Sequence, residues 1–177
     1  MGDGPFLWLS EDSPPAGFSQ VPLGGMCISA FLFVRRGEKI LLGKYANDPR
    51  WESLTGLDES RRVAHGQGWT LPASQLRFGE DPREAARRIG EEVLQSADLL
   101  YSEPRVEVDR YEPRRFPGRD HYDIWFLVDA FVKRGSDLGT PPWYAALEWK
   151  DPRTLPAAEY ARSHEDVVAQ WRENRTP

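Results

Sequence analysis

Along this chain the apolar residues fall into blocks whose period changes from strand-like to helix-like and back. The run Met26–Val34 (MCISAFLFV) is almost continuously apolar and predicts a buried strand. Gly37 with its charged neighbours makes a turn, and Lys39–Tyr45 returns as a second strand. Between Pro82 and Leu94 the period becomes helical. At about 100° per residue, Ala85, Ala86, Ile89, Gly90 and Val93 share one side, and Glu84, Arg88, Glu91, Glu92 and Gln95 share the other. Asp81 stands where an N-cap belongs, Pro82 is the first helical residue, and Glu84 can reach back to the cap backbone. Arg105–Tyr111 reads as a strand, and His121–Arg134 (HYDIWFLVDAFVKR) carries the strongest strand signal in the chain. Ala145–Lys150 is a candidate last strand. Ser163 and Asp166 resemble a capping box opening a final helix, with Val167, Val168 and Trp171 as its apolar stripe.

The remaining segments are connections. Residues 1–20 read as an arm in which FLWLS can pair as an edge strand before Pro14, Pro15 and Gly17 break the chain. Residues 46–68 are irregular and polar, which is long for a structureless connection, so this segment is expected to be functional or partly folded. The order hairpin, loop, helix, hairpin, helix predicts an α/β domain over 21–177, a mixed β-sheet flanked by helices.

Composition narrows the picture. A chain of 177 residues with 40% hydrophobic content is one domain with a sizeable core. A net charge of -5 gives no general electrostatic case for nucleic acid or a membrane as partner. Cys27 is the only cysteine, so no intramolecular disulfide can form and a reducing, cytoplasmic setting fits. Within its apolar run Cys27 reads as a small core residue rather than a nucleophile. No apolar run reaches membrane-spanning length, and the N-terminus lacks the basic flank of a signal peptide.

The segment WTLPASQLRFGEDPREAARRIGEEVL carries the candidate chemistry. Mg²⁺ is a hard ion held by a few carboxylates together with waters and substrate phosphates. Glu80, Glu91 and Glu92 can supply such carboxylates, and a bound metal would polarise a phosphoryl oxygen and activate water. The same residues also read as a solvated face. Glu84–Arg88, Arg88–Glu92 and Arg87–Glu91 all have i,i+4 spacing, each pair worth about 0.2–0.5 kcal/mol. Gly90 costs about 1 kcal/mol against Ala in mid-helix, so close packing or function must account for it.

These residues resemble the box of the Nudix hydrolase family, GX5EX7REUXEEXGU, where U is a bulky apolar residue. Trp69-Thr70-Leu71-Pro72 matches the phrase that often precedes it, Ala73-Ser74 stand where two glycines would be, and Gly79-Glu80 match the usual Gly-Glu. Arg88 follows Glu80 at the spacing of the box arginine. Aligned without a gap, Glu92 is the first glutamate of the EE pair, while Ile89 and Val93 replace two other carboxylates. With one residue missing after Arg88, Glu91-Glu92 become the pair. In either case Leu94 or Gln95 replaces the closing glycine. The resemblance spans roughly residues 21–172, counting the hairpin before the box and the tail EWKDPRTLP…SHEDVV.

What the resemblance implies is a Nudix fold, a mixed sheet sandwiched between helices. It further implies a hydrolase that cleaves the pyrophosphate (phosphoanhydride) bond of a nucleoside diphosphate derivative with Mg²⁺ or Mn²⁺. Glu91 and Glu92 are then candidate catalytic metal ligands, Glu80 a peripheral one, and Arg88 orients the carboxylates. The alternative is an inactive Nudix-fold module that binds a nucleotide-like ligand or a protein partner.

Other residues carry weaker signals. Trp51 is a candidate to stack a flat group, whereas Trp69 in its W-x-L-P phrase reads as structural. Arg114, Arg115 and Arg119, with Arg110, can clamp phosphates or simply line a solvated loop balanced by Glu112 and Asp120. His121 reads as a half-buried structural residue and His164 as a surface one. A phosphorylated small molecule is the expected partner, and exchange of the N-terminal arm would make a homodimer.

Overall fold

The computed structural model describes residues 7–8, 25–112 and 117–173. Two long strands form its spine, β2 (Met26–Arg36) and β7 (His121–Val132). They run parallel, in register from Met26 opposite Tyr122 to Arg35 opposite Phe131. The short β1 (Leu7–Trp8) pairs antiparallel with the start of β2, which is the edge pairing expected of the arm. β3 (Lys39–Tyr45) closes the expected hairpin through Arg35 and Arg36. β4 (Ala73–Gln75) pairs with β2 from Ser29 to Phe31. β5 (Leu99–Tyr101) and β6 (Arg105–Tyr111) share the outer edge of β7, and β8 (Tyr144–Lys150) pairs with β3. The sheet is therefore mixed, as the element order predicts.

Alternation along β2 builds two cores. Ala30, Leu32 and Val34 face α3 (Pro82–Arg88), packing with Ala85, Ala86, Ile89 and Val93. Phe31 and Phe33 face the other way, onto Val167, Val168 and Trp171 of α4 (His164–Glu173). The Phe33 and Trp171 rings stack at 4.5 Å. Because both faces of β2 are covered, its run reads as continuously apolar.

Segment 46–68 is folded. It holds α1 (Arg50–Thr55), ending at Gly56 in the left-handed conformation, and α2 (Glu59–His65), capped by Asp58, which accepts the Arg61 amide at 2.9 Å. Each is too short to show a helical stripe. Helix α4 starts at the expected place without the expected cap: Ser163 has φ +55°, whereas an N-cap needs extended backbone. Among the described residues no helix is long and apolar enough to cross a membrane.

Candidate functional site

The loop leading into α3 is organised around Arg88. The sequence pattern puts this residue on the polar face, yet only 6% of it is exposed. Its Nε donates to Glu80 Oε1 at 2.6 Å and its Nη2 to Glu80 Oε2 at 2.8 Å, a two-point grip. Nη1 donates to Ser74 Oγ at 3.1 Å and Nη2 to the Gln75 carbonyl at 2.9 Å. The Arg77 amide completes the shell of Glu80, donating to Oε2 at 2.8 Å. Gly79 makes the turn at φ +80°. Burial pushes the Glu80 carboxyl up. The hydrogen bonds from Arg88 and Arg77, with their charges, outweigh it and hold the group below its ordinary range.

The other glutamates part company. Arg77 Nη2 donates to Glu92 Oε2 at 3.0 Å, so one residue serves Glu80 through its amide and Glu92 through its guanidinium. Glu91 is turned to Arg87, at 3.0 Å, beside Tyr101. Of the three i,i+4 pairs read from spacing only Arg87–Glu91 is formed, because Arg88 is taken by Glu80 and Glu84 by the cap, accepting from the Asp81 amide at 3.3 Å.

After Arg88 the helix widens into one π turn, Ile89–Val93, closed by the Leu94 amide on the Ile89 carbonyl at 3.0 Å. Gln95 then takes φ +51°, the left-handed conformation that favours glycine at a helix end. Gln95 is the closing-glycine position of the ungapped alignment, the one that sets Ile89 and Val93 at two box carboxylate positions. Both are fully buried at 0% exposure. Gly90 is explained by packing, since a Cβ there would overlap the Tyr101 hydroxyl. Ala73 and Ser74 are extended residues of β4 and need no glycine.

Ser74 and Gln75 have a second side. They also line a cavity of about 430 Å³ between the sheet, Thr55, Arg61 and the Arg162–Val167 segment. Its floor is laid out by strand register: Asp109 lies opposite Asp123, which lies opposite Cys27, and Tyr111 lies opposite His121. The Cys27 thiol donates to Asp123 Oδ1, and His121 Nε2 stands 3.3 Å from the same oxygen. Among the described residues these three are the one set of His, Cys, Asp or Glu whose ligand atoms all lie within 4.8 Å of each other; Glu80, Glu91 and Glu92 do not converge in this way. Burial, then the Asp123 charge, push the Cys27 thiol up, so it is a protonated hydrogen-bond donor.

Several sequence readings change here. Cys27 is a cavity residue rather than a core one, and His121 is buried on the cavity floor rather than half-buried. His164 is buried, not on the surface. Its Nδ1 accepts the Leu71 amide at 2.8 Å, and burial, with the charge of Arg162, holds its pKa well below the ordinary histidine value. Trp51 presents no face for stacking. It is 1% exposed, donates to the Trp143 carbonyl at 2.8 Å, and is wedged between Tyr45 and Tyr144. Trp69 is structural as expected, with Lys44 and Lys150 over its ring. Arg119 is partly buried, and Arg114 and Arg115 lie outside the described residues. Asp123 and Asp109 carried no signal of their own, because their neighbours come from other strands.

No family model matches this chain, and no curated protein matches it. Solved structures do. The MutT protein from Methanosarcina mazei Go1 aligns over 85% of this chain and 96% of its own, with a TM-score of 0.56 at 16% identity. The Nudix domain of Shewanella oneidensis NrtR, complexed with ADP ribose, covers 93% of this chain and 95% of its own, with a TM-score of 0.53 and 16% identity. RenU, a Nudix hydrolase from M. smegmatis, covers 82% and 84%, with a TM-score of 0.52 and 19% identity. At these identities the likeness speaks for architecture, and together with the loop and helix built around Glu80 and Arg88 it identifies the chain as a Nudix-fold protein.

Proposed function

We propose that this protein binds a phosphorylated small molecule in the cavity and hydrolyses its phosphoanhydride bond at the loop and helix beside it. The observation that carries this reading is the shared wall. Ser74 and Gln75 line the cavity on one side and contact the Arg88 guanidinium on the other, and Arg77, the partner of Glu92, lines the adjoining niche. Nucleoside diphosphate derivatives are the substrate class to test, given the Nudix fold.

The donor set fits one hard ion. Mg²⁺ is commonly held by one or two carboxylates plus substrate phosphates. Glu92 is the carboxylate best suited to hold Mg²⁺ or Mn²⁺ here. It and its partner Arg77 are both half-exposed, and a solvent-accessible pair is worth about 0–1 kcal/mol, so it exchanges readily. When bound, the ion would supply Lewis acidity toward a phosphoryl oxygen and the attacking water. Arg88 fixes Glu80 and the loop, and Arg77, once released by Glu92, is free to pair with phosphate. Glu91 is a weaker candidate ligand because it is turned toward Arg87.

A second reading has its own observation. Ile89 and Val93 fill two box carboxylate positions with buried apolar side chains, which favours a module that binds its ligand without turnover. The NrtR Nudix domain, solved with ADP ribose, shows this fold holding a nucleotide ligand. Product release from a panel of nucleoside diphosphate derivatives, with and without Mg²⁺ or Mn²⁺, separates the two. Metal-dependent release abolished by Glu92→Gln supports hydrolysis. Ligand binding without release supports the binding module.

A further inference from the structure

The cavity floor holds chemistry that the box does not use. Cys27, His121 and Asp123 project from adjacent positions on two parallel strands, so their proximity is set by backbone register rather than by flexible side chains. His121 and Asp123 are two residues apart on β7 and share a face, and Cys27 lies directly opposite Asp123. The 3.3 Å between His121 Nε2 and Asp123 Oδ1 is close to the edge of a tetrahedron around Zn²⁺, about 3.4 Å for bonds of about 2.1 Å. Asp109 lies beside Asp123 and also faces the cavity, which Arg61 and Arg162 line as well, and neither carboxylate makes an ion pair with an arginine or lysine among the described residues.

We propose that Cys27, His121 and Asp123 form a second metal centre, a three-ligand site for Zn²⁺ or a similar borderline transition ion, with its fourth position open to the cavity. Sulfur, imidazole nitrogen and carboxylate oxygen together select such an ion over Mg²⁺, which takes oxygen donors. Three protein ligands with an open position is the arrangement of a zinc site that receives water or a ligand donor. The ring of Tyr111 packs edge-on to His121 at 5.3 Å, so the imidazole is oriented by a neighbouring strand. The centre is separate from the proposed hydrolytic one. It stands whether or not the box turns over substrate.

The test uses the untagged full chain, stripped with chelator and titrated with Zn²⁺ against a chromophoric competitor, then with Co²⁺ as a spectroscopic probe. One equivalent of tightly bound Zn²⁺ is expected, not displaced by excess Mg²⁺. The Co²⁺ form should show a near-ultraviolet thiolate-to-cobalt band and intense visible tetrahedral bands. Cys27→Ser should remove the thiolate band, and both Cys27→Ser and His121→Gln should weaken Zn²⁺ binding more than the about 10–100-fold typical of losing an outer partner. Glu92→Gln should leave binding unchanged. Circular dichroism reports folding of each variant, and the wild-type stoichiometry and spectrum decide the matter even if a variant fails to fold. Absence of tight Zn²⁺ binding, a Co²⁺ spectrum without the thiolate band, or affinity unchanged in a folded Cys27→Ser protein would each reduce the cluster to a hydrogen-bonded polar patch.

Discussion

The niche at α3 and the floor of the cavity are neighbours built in opposite ways. In the niche, Glu80, Glu91 and Glu92 each meet an arginine from the same loop and helix, 8, 4 and 15 residues away in the chain. On the floor, Asp109, Asp123, Cys27 and His121 come from three strands and have no arginine or lysine ion pair among the described residues. The first region is charge-balanced by itself. The second holds its carboxylates by hydrogen bonds, the Cys27 thiol donating to Asp123 with His121 Nε2 at 3.3 Å from the same oxygen. A row of acidic letters in a sequence therefore says less about cation binding than the local supply of arginine does.

The largest effect should come from Arg88, the one buried arginine–glutamate pair in the niche. Arg88→Ala leaves Glu80 desolvated and Ser74 without its partner, and should cost about 3–5 kcal/mol in chemical denaturation. Arg88→Lys should recover only part, because an ammonium cannot make the two-point grip. An alanine variant within 1 kcal/mol of wild type, roughly the ceiling for an exposed pair, would erase the contrast between this pair and the exposed ones.

Next is Gly90→Ala, where a methyl meets Tyr101. It should destabilise by about 1–3 kcal/mol, and Tyr101→Phe should restore part of the loss by removing the hydroxyl in its path. A neutral Gly90→Ala would mean that Tyr101 swings aside freely.

The two regions should also yield to acid at different pH. His164, in the cavity wall, is held neutral, with a folded pKa below the unfolded value of about 6.5. Below that pH the unfolded chain binds more protons, so stability falls as pH drops from about 6.5. Glu80 has the opposite charge logic. Its lowered carboxyl contributes stability fully above the unfolded value of about 4.3, and that is lost as pH falls through the lower folded value. Melting temperatures from pH 7 downward should thus show an earlier slope that His164→Gln flattens and a later one that Arg88→Ala flattens. One slope unaffected by His164→Gln would dissolve this distinction.

The smallest effect belongs to the exposed pair. Glu91→Gln should shift stability by less than about 0.5 kcal/mol and leave any metal-dependent turnover within about twofold, unlike Glu92→Gln. Equal loss in both would restore Glu91 as a ligand.

Legibility in the sequence follows the same divide. Helix α3, its Asp81 cap and its apolar face were readable because neighbours in sequence make them. So were β2, β3, β6, β7 and β8, whose β-forming runs are long. The helices inside 46–68 were not, since six or seven residues with a single buried one leave no periodic trace. Strands β4 and β5, three residues each, were equally silent. The burial of Arg88 could not be seen either, because its partners Ser74 and Gln75 come from β4 and Glu80 from the loop that follows it. His164 misled as a polar residue at a helix start. Its partner, the Leu71 amide, lies far away in the chain.

By itself, then, the sequence determined the local elements, the mixed α/β order and the residues of the loop and helix around Glu80, because capping, periodicity and turn chemistry act over a few residues. Only the tertiary structure decided which arginine each glutamate meets, that Trp51 belongs to the core, and that a thiol, an imidazole and a carboxylate meet on one floor. Those outcomes depend on the parallel register of β2 against β7 and on one extra residue in a π turn. Both are fixed by packing across the whole sheet rather than by any local pattern.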